Sequence, residues 1–155
     1  MKEVIDYLRE NNLSISTMES ATGGYIASEI TNIAGASEVM KFSAVTYSNE
    51  YKIKFGVPKE IIDKYTVYSK ETARLMAKAI SDYTKSTIGI GTTGKMNRED
   101  KMNPYGENDV LYAAIYDSRT DKYIDIKLKM TETERIENKK LVAKALEQNL
   151  KSVLY

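Results

Sequence analysis

The chain has 155 residues, a length typical of one domain that buries about two-thirds of its unfolded surface. We therefore expect a single domain over residues 1–155. Its 23 Lys and Arg residues nearly balance its 22 Asp and Glu residues, and a formal charge of +1 favours neither nucleic acid nor an anionic membrane as a partner. No apolar run reaches the roughly 18 residues of a membrane span, and charges throughout residues 1–10 argue against a secretion signal. These features predict a cytoplasmic protein.

The chain contains no histidine and no cysteine. Their absence removes the usual general base, the usual soft nucleophile and the commonest zinc ligands together. The carboxylates are scattered and lack the spacing of a calcium loop, so we expect neither a metal nor a cofactor. Any chemistry must therefore use serine, threonine, tyrosine, lysine or carboxylate side chains.

Apolar periodicity and turn residues predict alternating helices and strands. In the first part of the chain we expect a helix at 2–11, a strand at 13–18, a helix at 24–32 and a strand at 39–46. A short helix from Pro58, a longer helix capped by Ser69 and a strand at 87–92 should follow. After a polar loop at 93–109 we expect strands at 110–116 and 123–130 and a last helix with a capping box at Thr131 and Glu134. The apolar faces of the two long helices are predicted to contain Leu75, Met76, Ala79 and Ile80, and Leu141, Ala145, Leu146, Leu150 and Val153.

This order of elements predicts an α/β fold: a three-layer α/β/α sandwich with a mixed, mostly parallel sheet of about five strands. Ligands of such sheets gather at the carboxyl ends of the strands. We therefore expect the loops after residues 18, 46 and 92 to form the working edge.

The first of these loops reads Glu19-Ser20-Ala21-Thr22-Gly23-Gly24. A hydroxyl directly before a glycine pair at a helix start is near free backbone N–H groups, which can receive an oxyanion or a phosphate. Ser20 is thus the best candidate nucleophile in the chain. The alternative is that Ser20 or Thr22 only caps the helix while the glycines allow close packing.

A serine nucleophile needs a base, and without histidine the best candidate is a lysine kept neutral by desolvation or nearby positive charge. Lys52 follows the second strand and fits this role, whereas Lys54 should point elsewhere; Lys52 could instead be a solvated helix residue. Tyr47 and Ser48 could relay protons or bind substrate, although Tyr47 could equally pack in the core. Asn49 fits a helix cap.

The third loop begins Gly91-Thr92-Thr93-Gly94-Lys95. Its backbone and hydroxyl groups could contact an anion, but it lacks the spacing of a phosphate-binding P-loop. By itself it is a weak signal.

Together the loops resemble the C-terminal domain of the competence/damage-inducible protein CinA and its stand-alone relatives, the nicotinamide-nucleotide amidohydrolases. The strongest matches are Glu19-Ser20-x-Thr22-Gly23-Gly24 and Val45-Thr46-Tyr47-Ser48-Asn49-Glu50-x-Lys52, and the similarity covers nearly the whole chain. The sequence departs from the family at Lys95-Met96-Asn97-Arg98, where a glycine-rich segment is usual, and it has a short insertion around residues 105–109.

The resemblance implies metal-free hydrolysis of the carboxamide of nicotinamide mononucleotide to nicotinic acid mononucleotide and ammonia. By matching positions, Ser20 attacks, Lys52 takes its proton and Tyr47 assists, with oxyanion donors expected at the start of the second helix. The implied substrate-binding set is Thr22, Gly23, Gly24, Ser48, Asn49, Thr93, Gly94 and Arg135. The resemblance also implies a homo-oligomer. Two alternatives stay open: a catalytically altered or inactive nucleotide-binding or regulatory domain, and a structural protein whose sheet edge binds another chain.

Overall fold

One five-stranded sheet organises the chain, and the computed structural model describes all of residues 1–155. The strands are β1 (Ile15–Glu19), β2 (Ser43–Val45), β3 (Ile88–Gly94), β4 (Val110–Asp117) and β5 (Lys122–Lys129). The helices are α1 (Lys2–Glu10), α2 (Tyr25–Thr31), α3 (Ala36–Val39), α4 (Asn49–Lys54), α5 (Lys59–Tyr65), α6 (Lys70–Thr84) and α7 (Arg135–Leu154).

The strand order across the sheet is β2-β1-β3-β4-β5. Strand β1 pairs in parallel with β2 and β3, whereas β4 is antiparallel to both β3 and β5. Four strands therefore run in one direction, and β4 alone opposes them. The main core cluster packs α1, α2, α3 and α7 on one face, and two smaller clusters bury residues of α5 and α6 on the other. The predicted three-layer α/β/α fold with a mostly parallel sheet is confirmed.

The repeat Ile-Gly-Ile-Gly in β3 shows how the sequence allows both faces to be covered. Ile88 and Ile90 belong to the main core cluster on one face. Side chains alternate between faces along a strand, so the glycines face α6. A Cβ on Gly91 would lie 2.2 Å from the carbonyl oxygen of Ala73 in α6, and one on Gly89 would lie 2.0 Å from that of Ala77. Helix α6 can thus pack directly against the strand backbone.

The predicted strand at 39–46 is wrong in its first half. Gly35, with φ of 89°, is the N-cap residue of the short helix α3, and Val39 ends that helix while its side chain is buried in the main core. The β-branched side chain is thus used for packing rather than for a strand, since tertiary burial overrides a weak local preference. At the other end of the sheet, β3 continues two residues beyond the predicted end, to Gly94.

The predicted capping box of the last helix is also wrong. Glu134 is the N-cap residue of α7 and makes no side-chain capping bond, and Thr131 is exposed. The side chain of Asn138 instead bonds both the amide and the carbonyl oxygen of Glu132. The fully buried face of α7 consists of Asn138, Val142, Ala143, Leu146, Leu150 and Leu154. Of the predicted inward residues, Leu146 and Leu150 are buried, whereas Leu141, Ala145 and Val153 are only half-buried.

None of the helices is both long enough and apolar enough to span a bilayer.

The contact between β3 and α6 yields a stability prediction. Gly91→Ala places a methyl group against the backbone of Ala73 and Ala77, which cannot move without shifting α6. We expect the free energy of unfolding to fall by about 3 kcal/mol, as for an overpacked core, measured by urea denaturation. Ser28→Ala, on the exposed side of α2, is the control and should stay within about 0.5 kcal/mol of the wild type. Equal stability of Gly91→Ala and the control would contradict this packing.

Candidate active site

The carboxyl ends of β1, β2 and β3 meet at one edge of the sheet. The amide of Ser20 donates to the carbonyl oxygen of Thr92 at 3.0 Å, and the amide of Thr46 donates to that of Glu19 at 2.8 Å. These bonds continue the parallel pairing beyond the strands. The loops that follow β1 and β2 are thereby fixed next to the end of β3.

Ser20 and Lys52 are in direct contact at this edge. The Nζ atom of Lys52 lies 3.1 Å from Oγ of Ser20 and donates to the carbonyl oxygen of Thr46 at 2.8 Å. Lys52 is 1% exposed and is the buried residue of α4. In contrast, Lys54 is exposed and pairs with Glu50 at 2.6 Å. Helical geometry therefore separates two lysines that are only two residues apart, and the solvated-helix alternative for Lys52 is wrong.

Burial changes the acidity of Lys52. Desolvation lowers its pKa from 10.5 to about 8, while the negative charge of Asp100 acts in the opposite direction. No carboxylate pairs directly with the ammonium, whose protein partners are the Ser20 hydroxyl and the Thr46 carbonyl. A lysine with this pKa is partly neutral near pH 8 and has a lone pair that can accept the Ser20 proton.

Helix α4 owes its position partly to its cap. Ser48 is the N-cap residue and accepts a hydrogen bond from the amide of Tyr51 at 3.3 Å. The expectation that Asn49 caps this helix is therefore wrong. The Asn49 side chain instead donates to Oδ1 of Asn103 at 2.9 Å and links α4 to the loop after β3.

Glu19 is a structural residue of the site that the sequence reasoning did not identify. Its fully buried carboxylate accepts the backbone N–H groups of Gly24, Ile26 and Ala27 at 3.0, 3.1 and 2.8 Å. It also accepts the hydroxyl of Thr17 at 3.1 Å. A carboxylate at a helix start is stabilised by both hydrogen bonds and the helix dipole. The signal in the sequence was an acidic residue directly before the loop that opens α2.

The capping role of Glu19 changes two expectations for the first loop. Neither Ser20 nor Thr22 caps α2, since the hydroxyl of Thr22 is buried against that of Thr92 at 2.8 Å. The N–H groups at the helix start, including that of Gly24, already bond Glu19, so they are not free oxyanion donors. The amides of Ala21 and Thr22 have no protein acceptor and directly follow Ser20.

A cavity of about 730 Å³ opens beside Ser20. Its walls are Ser20, Ala21, Tyr47, Ser48, Asn49, Glu50, Tyr68, Gly94, Lys95, Met96, Arg98, Glu99, Asp100, Met102, Asn103 and Arg135. Among the proposed substrate-binding residues, Ser48, Asn49, Gly94 and Arg135 lie on this wall. Thr22, Gly23, Gly24 and Thr93 do not, and the buried hydroxyl of Thr93 donates to the carbonyl oxygen of Val67 at 2.8 Å.

Tyr47 lies on the rim of the cavity. It is 65% exposed, so the alternative that it packs in the core is wrong. Its phenol oxygen lies 3.5 Å from a guanidinium nitrogen of Arg135, at the start of α7. The structure thus brings Tyr47 and Arg135 together although 88 residues separate them in sequence.

The loop at 95–109 forms much of the remaining wall, and sequence reasoning did not assign its residues a role. Asp100 accepts hydrogen bonds from the phenol of Tyr68, from the side chain of Asn103 at 3.0 Å and from the amide of Met102 at 2.9 Å. The hydrogen bond from Tyr68 is the main cause that lowers the pKa of Asp100. Burial and the same hydrogen bond raise the pKa of Tyr68. The contacts with Met102 and Asn103 are local to the loop, whereas the contact with Tyr68 joins residues 32 apart in the chain and has no local motif.

The wall of the site presents hydroxyl, amine, amide, carboxylate and guanidinium groups. Nowhere do three or more carboxylates gather in an arrangement that could hold a metal ion. The fold and site therefore define a class of α/β proteins with a buried serine–lysine pair at the carboxyl edge of a mixed sheet.

Comparison with known proteins identifies the family of the chain. The family model "CinA C-terminal domain" matches residues 1–153. The chain belongs to the CinA C-terminal domain family.

Curated relatives support this assignment. The chain is 46% identical over 92 residues to a CinA-like protein of Kosmotoga olearia, covering 59% of this chain and 22% of that protein. It is 47% identical over 96 residues to a competence-damage inducible protein of Clostridium botulinum, covering 61% of this chain and 24% of that protein. The matches thus span about a quarter of these longer relatives.

Solved structures share the architecture. A CinA superfamily protein of Klebsiella pneumoniae superimposes with a TM-score of 0.86 at 19% identity, over 99% of this chain and 94% of that one. A competence/damage-inducible protein of Agrobacterium tumefaciens gives 0.79 at 27% identity, over 96% and 93% of the two chains. The first of these similarities establishes the fold alone.

The environment of Lys52 predicts its titration. Followed by the NMR shift of its Cε carbon, Lys52 should titrate with a midpoint near pH 8, and the resonance is assigned by its absence in Lys52→Met. In Asp100→Asn the midpoint should move lower, because the negative charge of Asp100 favours the protonated amine. A wild-type midpoint above about 10, the value of an unperturbed lysine, would contradict the assigned burial effect.

The cap formed by Glu19 predicts a large loss of stability on a nearly isosteric change. Glu19→Gln replaces one acceptor oxygen by an NH2 group, which faces backbone donors at the start of α2. We expect the free energy of unfolding to fall by about 3 kcal/mol. Glu10→Gln, at an exposed position in α1, is the matched control and should change it by less than about 0.5 kcal/mol. Equal effects of the two changes in urea denaturation would refute the role of Glu19.

Proposed function

We propose that this chain is a nicotinamide-nucleotide amidohydrolase that converts the carboxamide of nicotinamide mononucleotide to a carboxylate and ammonia. The observation that carries the proposal is the 3.1 Å contact between Nζ of Lys52 and Oγ of Ser20 beside the cavity. Membership of the CinA family and the motif resemblance supply the substrate. The proposal includes a cytoplasmic location and a homo-oligomeric state, which rest on composition and resemblance respectively.

The proposed reaction begins with neutral Lys52 taking the proton of the Ser20 hydroxyl as Oγ attacks the carboxamide carbon. The carbonyl oxygen becomes an oxyanion, for which the unpaired amide of Ala21, a residue of the cavity wall, is the proposed donor. Protonated Lys52 then gives its proton to the nitrogen, the C–N bond breaks and ammonia leaves. A water molecule, deprotonated by Lys52, next attacks the ester on Ser20 and releases the carboxylate product. Protonated Lys52 returns this proton to Oγ as the ester C–O bond breaks, which regenerates the serine and neutral Lys52.

The size of the cavity is compatible with this substrate class. Its volume of about 730 Å³ is within the roughly 300–1,000 Å³ range of small-molecule sites. Arg135 and Tyr47 lie on the same wall as Ser20, where they can contact the parts of a nucleotide beyond its amide. We assign Tyr47 an assisting role at the rim.

The proposal predicts ammonia release from nicotinamide mononucleotide and its loss in two variants. Ser20→Ala removes the nucleophile, and Lys52→Arg replaces the base by a group that remains protonated. Each should lower kcat/KM by at least about 1,000-fold in a coupled ammonia assay. In the wild type, kcat should rise with pH through about 8, because the neutral fraction of Lys52 increases there.

The controls use neighbouring residues of the same types. Lys54→Arg and Ser28→Ala alter exposed side chains outside the cavity wall and should retain wild-type activity. An active Lys52→Arg enzyme with a flat pH profile would remove lysine from the base role. Absence of ammonia release by the wild type would refute the proposed reaction.

A second candidate is a nucleotide-binding or regulatory domain without turnover. The observation that favours it is the loop at 95–109, which departs from the family pattern yet supplies much of the cavity wall. This loop carries Asp100, whose negative charge raises the pKa of Lys52 and so favours its protonated form. Tight binding of nicotinamide mononucleotide in calorimetry without ammonia release would support this candidate. Measurable turnover would eliminate it.

A further inference from the structure

Lys95 is a buried cation on the cavity wall. It directly follows β3, is 4% exposed, and its amide is fixed by a hydrogen bond to the carbonyl oxygen of Val110 at 3.0 Å. Its ammonium donates to the side-chain oxygen of Asn108 at 3.1 Å and lies 5.1 Å from the centre of the Tyr68 ring. These contacts position the charge but do not neutralise it.

Two carboxylates of the cavity wall, Asp100 and Glu50, and that of Asp109 beside Asn108 contact groups other than Lys95. Asp100 is held by Tyr68, Asn103 and the amide of Met102. Asp109 pairs with Lys129 at 3.3 Å, and Glu50 pairs with Lys54 at 2.6 Å. None of the ion pairs in the structure includes Lys95. Glu99, the remaining carboxylate of the cavity wall, is exposed to solvent.

An ammonium group has three donors, of which Lys95 uses one on a protein acceptor. Burying a charge without a counter-charge costs free energy, so such a group is usually paired with an opposite charge. Because Lys95 lines the cavity, a bound molecule can approach it from that side. Arg98 and Arg135 lie on the same wall and likewise form no ion pair with a carboxylate.

We propose that Lys95 is a specificity-determining residue that binds the anionic phosphate of the nucleotide substrate. This inference rests on the proposed function, since it names the part of that substrate which Lys95 recognises. A charge-assisted hydrogen bond to phosphate supplies the missing counter-charge. Tyr68 and Asn108 hold the ammonium in place before the ligand arrives. A riboside that lacks the phosphate would leave Lys95 without its counter-charge.

The test measures calorimetric binding of two product ligands, nicotinic acid mononucleotide and nicotinic acid riboside, which differ only in the phosphate. Lys95→Gln should weaken binding of the mononucleotide at least about tenfold and leave binding of the riboside unchanged. Lys95→Met provides a second uncharged variant, and circular dichroism verifies that both are folded. Lys101→Gln removes an exposed lysine of the same loop that lies off the cavity wall and should bind both ligands like the wild type.

The inference is overturned if the Lys95 variants bind the mononucleotide like the wild type, if they lose affinity for both ligands equally, or if the wild type does not prefer the mononucleotide. Parallel ammonia assays with nicotinamide mononucleotide and nicotinamide riboside separate this result from the proposed function. Turnover that is independent of Lys95 refutes the phosphate assignment alone. Binding that depends on Lys95 without turnover in the wild type refutes the hydrolase alone.

Discussion

The buried carboxylate of Glu19 is the interaction on which the site depends. The carboxylate accepts three backbone N–H groups around the start of α2. The backbone carbonyl oxygen of Glu19 accepts the amide of Thr46. A buried charge is stable only when its acceptor positions are occupied. One residue therefore joins β1, α2 and the loop after β2. Between these anchored segments, Ser20 lies at the sheet edge, where its amide bonds the carbonyl oxygen of Thr92.

The environment of Lys52 shows how a chain without histidine can provide a base. A lysine in water is almost fully protonated at neutral pH. Here burial lowers the pKa to about 8, because the charged form loses hydration and gains no carboxylate partner. The Ser48 cap marks the start of α4, and Lys52 is the buried residue of this helix. The geometry of one short helix thus distinguishes Lys52 from the solvated Lys54.

The cavity wall combines residues from several elements of the fold with residues of the loop at 95–109. Ser20, Tyr47 and Arg135 come from three separate segments that the fold brings together. The loop at 95–109 adds Lys95, whose ammonium lies over the Tyr68 ring, and Asp100, whose carboxylate accepts the Tyr68 hydroxyl. The scaffold therefore supports the proposed chemistry, whereas this loop is the part of the wall most suited to selecting the ligand.

Sequence alone determined the layered fold, because strand periodicity and glycine positions are local properties of the chain. It also determined Ser20 and Lys52 as the candidate pair, because a chain without histidine must use another base. Helix α3, the capping role of Glu19 and the buried state of Lys95 could not be predicted in this way. Val39 packs into a core formed by distant segments, Glu19 satisfies donors up to eight residues ahead, and Lys95 contacts Tyr68 and Asn108. Only the tertiary structure decided these features, because burial and hydrogen-bond partners depend on residues that are far apart in the chain.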